Sequence, residues 1–157
     1  MKNPLDLAWL AGIIDGEGSI FVMKQKRKDR ERDTNYILRI SIDSTDPFMA
    51  PECLKIAGGC KLSLTSDKRP ECSDRYKWQL NGKKAAALLQ ELLPYLRVKH
   101  QQALLAIEFQ NKTKKHWKHM TDKDYKEQER LCSELKQAKT NLKIGKLPVS
   151  TELPAFN

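Results

Sequence analysis

The sequence predicts an α+β fold, a four-stranded antiparallel sheet with helices covering one of its faces. Three observations predict it. Four segments alternate apolar and polar residues with period two, as half-buried strands do. In these segments the apolar residues share one face while mostly basic, amide and hydroxyl residues share the other, so one face is packed and the second is open. The stretches between and after them read as helices, which gives the order α-β-β-α-β-β-α-α-α with no internal repeat.

Residues 5–14 are apolar almost all the way round yet too few to span a membrane, so they read as a buried helix, ended by Gly16 and Gly18. Residues 19–25, rich in Ile, Phe and Val, are strand-like. The charge-dense run 26–35 is a solvated turn or loop. Within 36–42, Leu38, Ile40 and Ile42 face one way and Arg39, Ser41 and then Asp43 the other. Residues 47–57 suit a helix closed by Gly58-Gly59. Leu62 and Leu64 oppose Lys61, Ser63 and Thr65, and Tyr76, Trp78 and Leu80 oppose Arg75, Lys77 and Gln79. Helices return at 83–93 and 99–110, separated by Pro94. A charged helix at 122–141 follows a lysine-rich connection, and from Pro148 the chain reads as a loose tail. Trp9, Trp78 and Trp117 read as core or boundary packing rather than base-stacking platforms.

The 157 residues fit one domain with a real core, and 39% hydrophobic with 31% charged residues describes a globular chain. A net charge of +9 attracts polyanions. Nucleic acid is the commonest such partner, since each neutralised phosphate releases a counterion. An anionic membrane surface is the competing reading, but it wants a basic amphipathic helix and none stands out. No apolar run approaches the roughly 20 residues of a membrane span, and Met1-Lys2-Asn3-Pro4 lacks a secretory apolar stretch. The expectation is an intracellular protein of the cytoplasm, nucleoid or an organelle matrix, neither secreted nor membrane-bound. Cys53, Cys60, Cys72 and Cys132 form no Cys-x-x-Cys pair and read as reduced thiols. His116 and His119 have metal-like spacing, but their lysine neighbours favour a solvated basic face. Two readings fit the open sheet face, a DNA groove reader and a plain solvated surface. Two likewise fit the lysine-rich stretch 112–118, phosphate contact and solvated linker.

One stretch is far more specific than these. In Leu10-Ala11-Gly12-Ile13-Ile14-Asp15-Gly16-Glu17-Gly18, Gly12 and Gly16 stand four apart and Ala8 one turn earlier. This small-residue stripe lets two helix backbones approach closely. Glu17 falls just beyond the helix C-terminus, where unpaired carbonyls carry partial negative charge. A carboxylate there calls for a cation, and a divalent metal with hard oxygen ligands would answer it. Asp15 reads as a structural residue of the helix end.

The nine-residue stretch resembles the motif that names the LAGLIDADG homing endonucleases. The resemblance continues in Asp43-Ser44-Thr45-Asp46 before a helix ending Gly58-Gly59, in Tyr76-Lys77-Trp78, and in Leu93-Pro94-Tyr95-Leu96-Arg97-Val98-Lys99. It covers roughly residues 5–110, within one endonuclease domain of residues 1–141 followed by a tail, 142–157. It implies the family's αββαββα fold with a saddle-shaped sheet. It also implies a metal-dependent enzyme, magnesium being the expected ion, that makes a staggered double-strand cut in DNA. Carried over by position, Glu17 is the metal ligand, the Gly16 carbonyl a second donor, and Lys99 the basic group near the scissile phosphate. Asp43 or Ser44 occupies the place where relatives often carry a water-orienting glutamine, with Asp43 the expected occupant.

The motif occurs once, whereas cutting two strands calls for two carboxylate sets. The expectation is therefore a C2 homodimer with Ala8, Gly12 and Gly16 at its interface and a near-palindromic target. By strand parity the DNA-facing set is Met23, Gln25, Arg27, Arg39, Ser41, Ser63, Thr65, Arg75, Lys77 and Gln79. Phe21 shares this parity and would need a thymine methyl or a packing role. An intron-splicing maturase or a cleavage-deficient binder is the alternative, and a basic structural or ribosome-associated protein a third. As a homing endonuclease the protein would belong to a mobile, intron-encoded element.

Overall fold

The computed structural model describes residues 2–26, 34–59, 61–65, 73–113 and 120–143. The elements are α1 (Pro4–Gly16), β1 (Gly18–Lys26), β2 (Thr34–Ser44), α2 (Met49–Ala57), β3 (Lys61–Thr65), β4 (Arg75–Asn81), α3 (Gly82–Leu92), α4 (His100–Lys112) and α5 (Asp122–Lys143). This is the order that the sequence predicts.

The strands form one antiparallel sheet in the order β1-β2-β4-β3. Register sets the faces. Ile20 pairs Ile40, Ile40 pairs Leu80, Ile42 pairs Trp78, and Trp78 pairs Leu62. These side chains share the covered face, because alternate residues of paired strands point the same way. Ile20, Leu38, Ile40, Ile42 and Trp78 are wholly buried there beneath the helices. The opposite face carries Phe21-Arg39-Asn81 in one row and Ser19-Ser41-Gln79 in the next, then Asp43-Lys77-Ser63 and Arg75-Thr65.

Trp78 is a core residue, as its alternation implies, and its indole N–H donates to the Gly58 carbonyl at 2.9 Å. The bond ties the end of α2 to β4. Gly58 closes the helix at a positive φ (67°) that favours glycine, its N–H donating to the Leu54 carbonyl at 2.8 Å, and a β-carbon on Gly59 would lie 2.8 Å from the indole nitrogen.

α5 lies alongside β1 and α4. Tyr36 donates its hydroxyl to Glu129 at 3.0 Å, while Lys112 and Arg130 bridge to Glu127 at 2.6 and 2.8 Å. Burial pushes the Cys53 thiol up to about 12 and Cys132 up to about 11, which suits inert packing residues. Among the described residues no helix is long and apolar enough to cross a membrane. Arg27, Cys60, Cys72, His116, Trp117, His119 and the tail from 144 lie outside the described residues.

Candidate active site and nucleic-acid interface

The expectation of a buried first helix holds on one face only. Leu7, Leu10, Ala11 and Ile14 are buried against the sheet and neighbouring helices. Leu5, Ala8, Trp9, Gly12 and Gly16 are exposed, Leu5 by 77% and Trp9 by 41%. An apolar circumference alone cannot tell burial within one chain from burial between two. The three glycines of the motif divide the same way. A β-carbon on Gly18 would stand 2.7 Å from the Ile14 Cα, so the close approach of β1 to α1 requires a glycine. At Gly12 and Gly16 a β-carbon would meet nothing within 4 Å.

Glu17 is the C-cap of α1; its backbone N–H donates to the Ile13 carbonyl at 2.8 Å. Its carboxylate is exposed and makes no hydrogen bond or ion pair among the described residues. The nearby segment 97–99 is held by Asp15, whose carboxylate accepts the backbone N–H groups of Arg97, Val98 and Lys99 at 2.7, 3.1 and 2.8 Å. The Lys99 ammonium in turn donates to the Ile14 carbonyl at 2.9 Å and to the Asp15 carbonyl. The chain thus supplies its own cation to the end of α1, the place where the sequence calls for a metal ion. Burial lowers the Lys99 pKa, opposed by Asp15, assisted by Lys139 and opposed again by Glu17. The ammonium therefore stands within electrostatic range of the Glu17 carboxylate.

Asp43 reaches the open sheet face. Its carboxylate binds the Arg75 guanidinium at 3.0 Å. Of the other parity-assigned residues, Met23, Gln25, Arg39, Ser41, Ser63, Thr65, Lys77 and Gln79 all belong to this face. Arg39 donates to Asn81 at 2.9 Å, whereas Lys77 and Gln79 have no side-chain partner among the described residues.

Parity could not find the contribution of α5. A cleft of about 350 Å³ separates it from β1, lined by Ser19, Phe21, Ser41, Cys132, Lys136 and Lys139 among others. The Lys139 ammonium lies over the Phe21 ring, 5.9 Å from its centre, which gives this apolar ring on a polar face its packing role. Lys136 and Lys139 thereby add positive charge at the sheet edge, Lys139 within electrostatic range of Lys99. The only signal in the sequence is a charged helical period, which does not say where the helix docks.

Among the described residues no three His, Cys, Asp or Glu side chains converge as a metal site would require. At the end of α1 the described residues of one chain offer the Glu17 carboxylate and the helix terminus, donors of the right hard type but too few for a hexacoordinate ion. Two such ends brought together would fit.

The sequence matches no protein-family model and no curated protein. The architecture is the one found in LAGLIDADG homing endonucleases. Homing endonuclease I-CvuI, solved in complex with DNA targets in the presence of magnesium or calcium, shares it with a TM-score of 0.69 and 22% identity over 85% of this chain and 82% of that one. The archaeal intron-encoded homing endonuclease I-Vdi141I, complexed with DNA, gives 0.70 and 18% over 85% and 84%. LAGLIDADG meganuclease I-CpaMI, bound to uncleaved DNA, gives 0.66 and 14%; 94% of this chain matches 52% of that one.

Proposed function

We propose that the protein is a homing endonuclease that cuts double-stranded DNA as a homodimer with a divalent metal, magnesium being the expected ion. The observation that carries this reading is the outward face of α1. An apolar stripe whose glycines have open space above them ends at Glu17, unpartnered among the described residues and within electrostatic range of the Lys99 ammonium. A second copy packed on that stripe would cover it and set two Glu17 carboxylates near one axis. The half-length match to I-CpaMI supports a unit that works in pairs.

In this reading Glu17 and the Gly16 carbonyl of each protomer hold the metal. The ion, when bound, polarises the phosphate and lowers the pKa of an attacking water. Lys99 stands where its ammonium can neutralise charge developing on the phosphate. Met23, Gln25, Arg39, Ser41, Ser63, Thr65, Arg75, Lys77 and Gln79 would lie in the major groove of one half-site, reading base edges and phosphates. Lys136 and Lys139 extend that basic surface at the β1 edge. Asp43 acts through Arg75 and not as a free water-orienting group. The cut is staggered and the target near-palindromic, on intracellular DNA.

Cleavage of a randomised duplex library by the purified protein, with magnesium and then with calcium, tests the reading. Magnesium-dependent double-strand cuts at one near-palindromic sequence are expected, lost in Glu17→Gln. Specific binding without cuts under either ion would mark a maturase or a cleavage-deficient binder instead.

A further inference from the structure

Asp15 spans the junction between α1 and α4 with an arrangement that capping of α4 alone does not require. Lys99 is the N-cap of α4, and its side chain makes no cap bond to the first turn. A serine or aspartate at that position would cap the helix locally. Here the carboxylate comes from a residue 84 positions away and accepts the N–H groups of Arg97, Val98 and Lys99. The position left free for a cap holds a cation, and that cation runs back to the carbonyls of Ile14 and Asp15. The exchange is reciprocal. A negative group from the end of α1 serves the start of α4, and a positive group from the start of α4 serves the end of α1, each matching the helix dipole it meets. Glu17 follows Asp15 by two residues, so both ends of this clasp lie at the candidate cleavage centre.

We infer that Asp15 is a positioning residue for the reaction: by gripping the backbone of residues 97–99 it fixes where the Lys99 ammonium stands relative to Glu17. The inference rests on the nuclease reading for its consequence but not for its geometry. A misplacement of about 1 Å at a reacting centre costs about 10²-fold in rate. Asp15→Asn keeps the shape and loses the charge and one strong acceptor, and Asp15→Glu keeps the charge and displaces it by one methylene.

The test compares wild type, both Asp15 variants, Lys99→Met and the Asp15→Asn/Lys99→Met double variant on the selected target. DNA affinity in calcium should match wild type in the two Asp15 variants. Single-turnover cleavage in magnesium should fall about 10²-fold in Asp15→Asn. It should fall no further in the double variant than in Lys99→Met, because the two residues act as one unit. Acetylation of Lys99 by acetic anhydride, followed by mass spectrometry, should rise in Asp15→Asn relative to the other lysines. Wild-type cleavage in Asp15→Asn, or losses that multiply in the double variant, would overturn the proposal. Failure of both Asp15 variants to fold would make the residue purely structural and overturn it equally. Should wild type cut no duplex, the nuclease reading falls, and Lys99 acetylation alone decides: an unchanged rate in Asp15→Asn overturns the positioning role.

Discussion

The two faces of α1 are equally apolar and differ in what accounts for them. On the inner face, Leu10 and Ile14 are wholly buried, and Gly18 just beyond the helix is a glycine because the Ile14 backbone occupies the space of its β-carbon. The chain's own packing explains each residue. On the outer face, Leu5 and Trp9 are exposed and Gly12 and Gly16 border open space. A glycine inside a helix costs about 0.5–1 kcal/mol relative to alanine, and at Gly12 nothing among the described residues offsets that cost. Small size without use inside the chain is what the proposed packing of two copies along α1 would require.

Substitutions should separate the two faces by what they damage. The largest effect is expected from Gly12→Leu, whose side chain would stand in the proposed seam between two copies. Self-association measured by sedimentation should disappear and cleavage fall to background, while thermal stability at low protein concentration stays level or rises. A stable dimer with a leucine at position 12 would remove the outer face from the argument. Inner-face changes should do the reverse. Leu10→Ala should lower unfolding free energy by about 2–5 kcal/mol in denaturant titration. Gly18→Ala should lower it by about 1–3 kcal/mol, because backbone must shift to admit the methyl group. Gly16→Ala has room and should lose no stability, so the pair gives a direct reading of which glycine serves the chain and which the assembly.

The same division marks what the sequence revealed. Element order and strand parity were legible because both follow from local periodicity, and the parity assignments for described residues from Met23 to Gln79 fall on one face as predicted. Pairings across the fold were not legible. Asp15 reaches Lys99 over 84 residues and Asp43 reaches Arg75 over 32, and no period encodes such distances. Nor did the motif disclose that a lysine satisfies the helix end, since Lys99 lies on another element. For α5 the charged pattern predicts a helix without a docking site. Its ion pairs with α4 and the Tyr36–Glu129 bond, which settle that site, connect residues that sequence spacing does not relate.

On the open sheet face the division between internal and external explanation runs from residue to residue, and it predicts the smallest effect. Arg75 is partnered by Asp43 and Arg39 by Asn81, whereas Lys77, beside Asp43 in the register, has no side-chain partner among the described residues. If this face reads DNA, a phosphate or base must compete with Asp43 for the Arg75 guanidinium but meets no competitor at Lys77. Exposed ion pairs contribute about 0–1 kcal/mol, so Asp43→Asn should leave stability within that range. Releasing Arg75 and removing a negative charge from the groove face should tighten binding to the selected duplex by less than about tenfold, with a steeper salt dependence. Lys77→Ala should weaken binding and flatten that dependence. A loss of cleavage in Asp43→Asn with binding intact would instead return Asp43 to the water-orienting role, and would mean that its bond to Arg75 opens when DNA arrives.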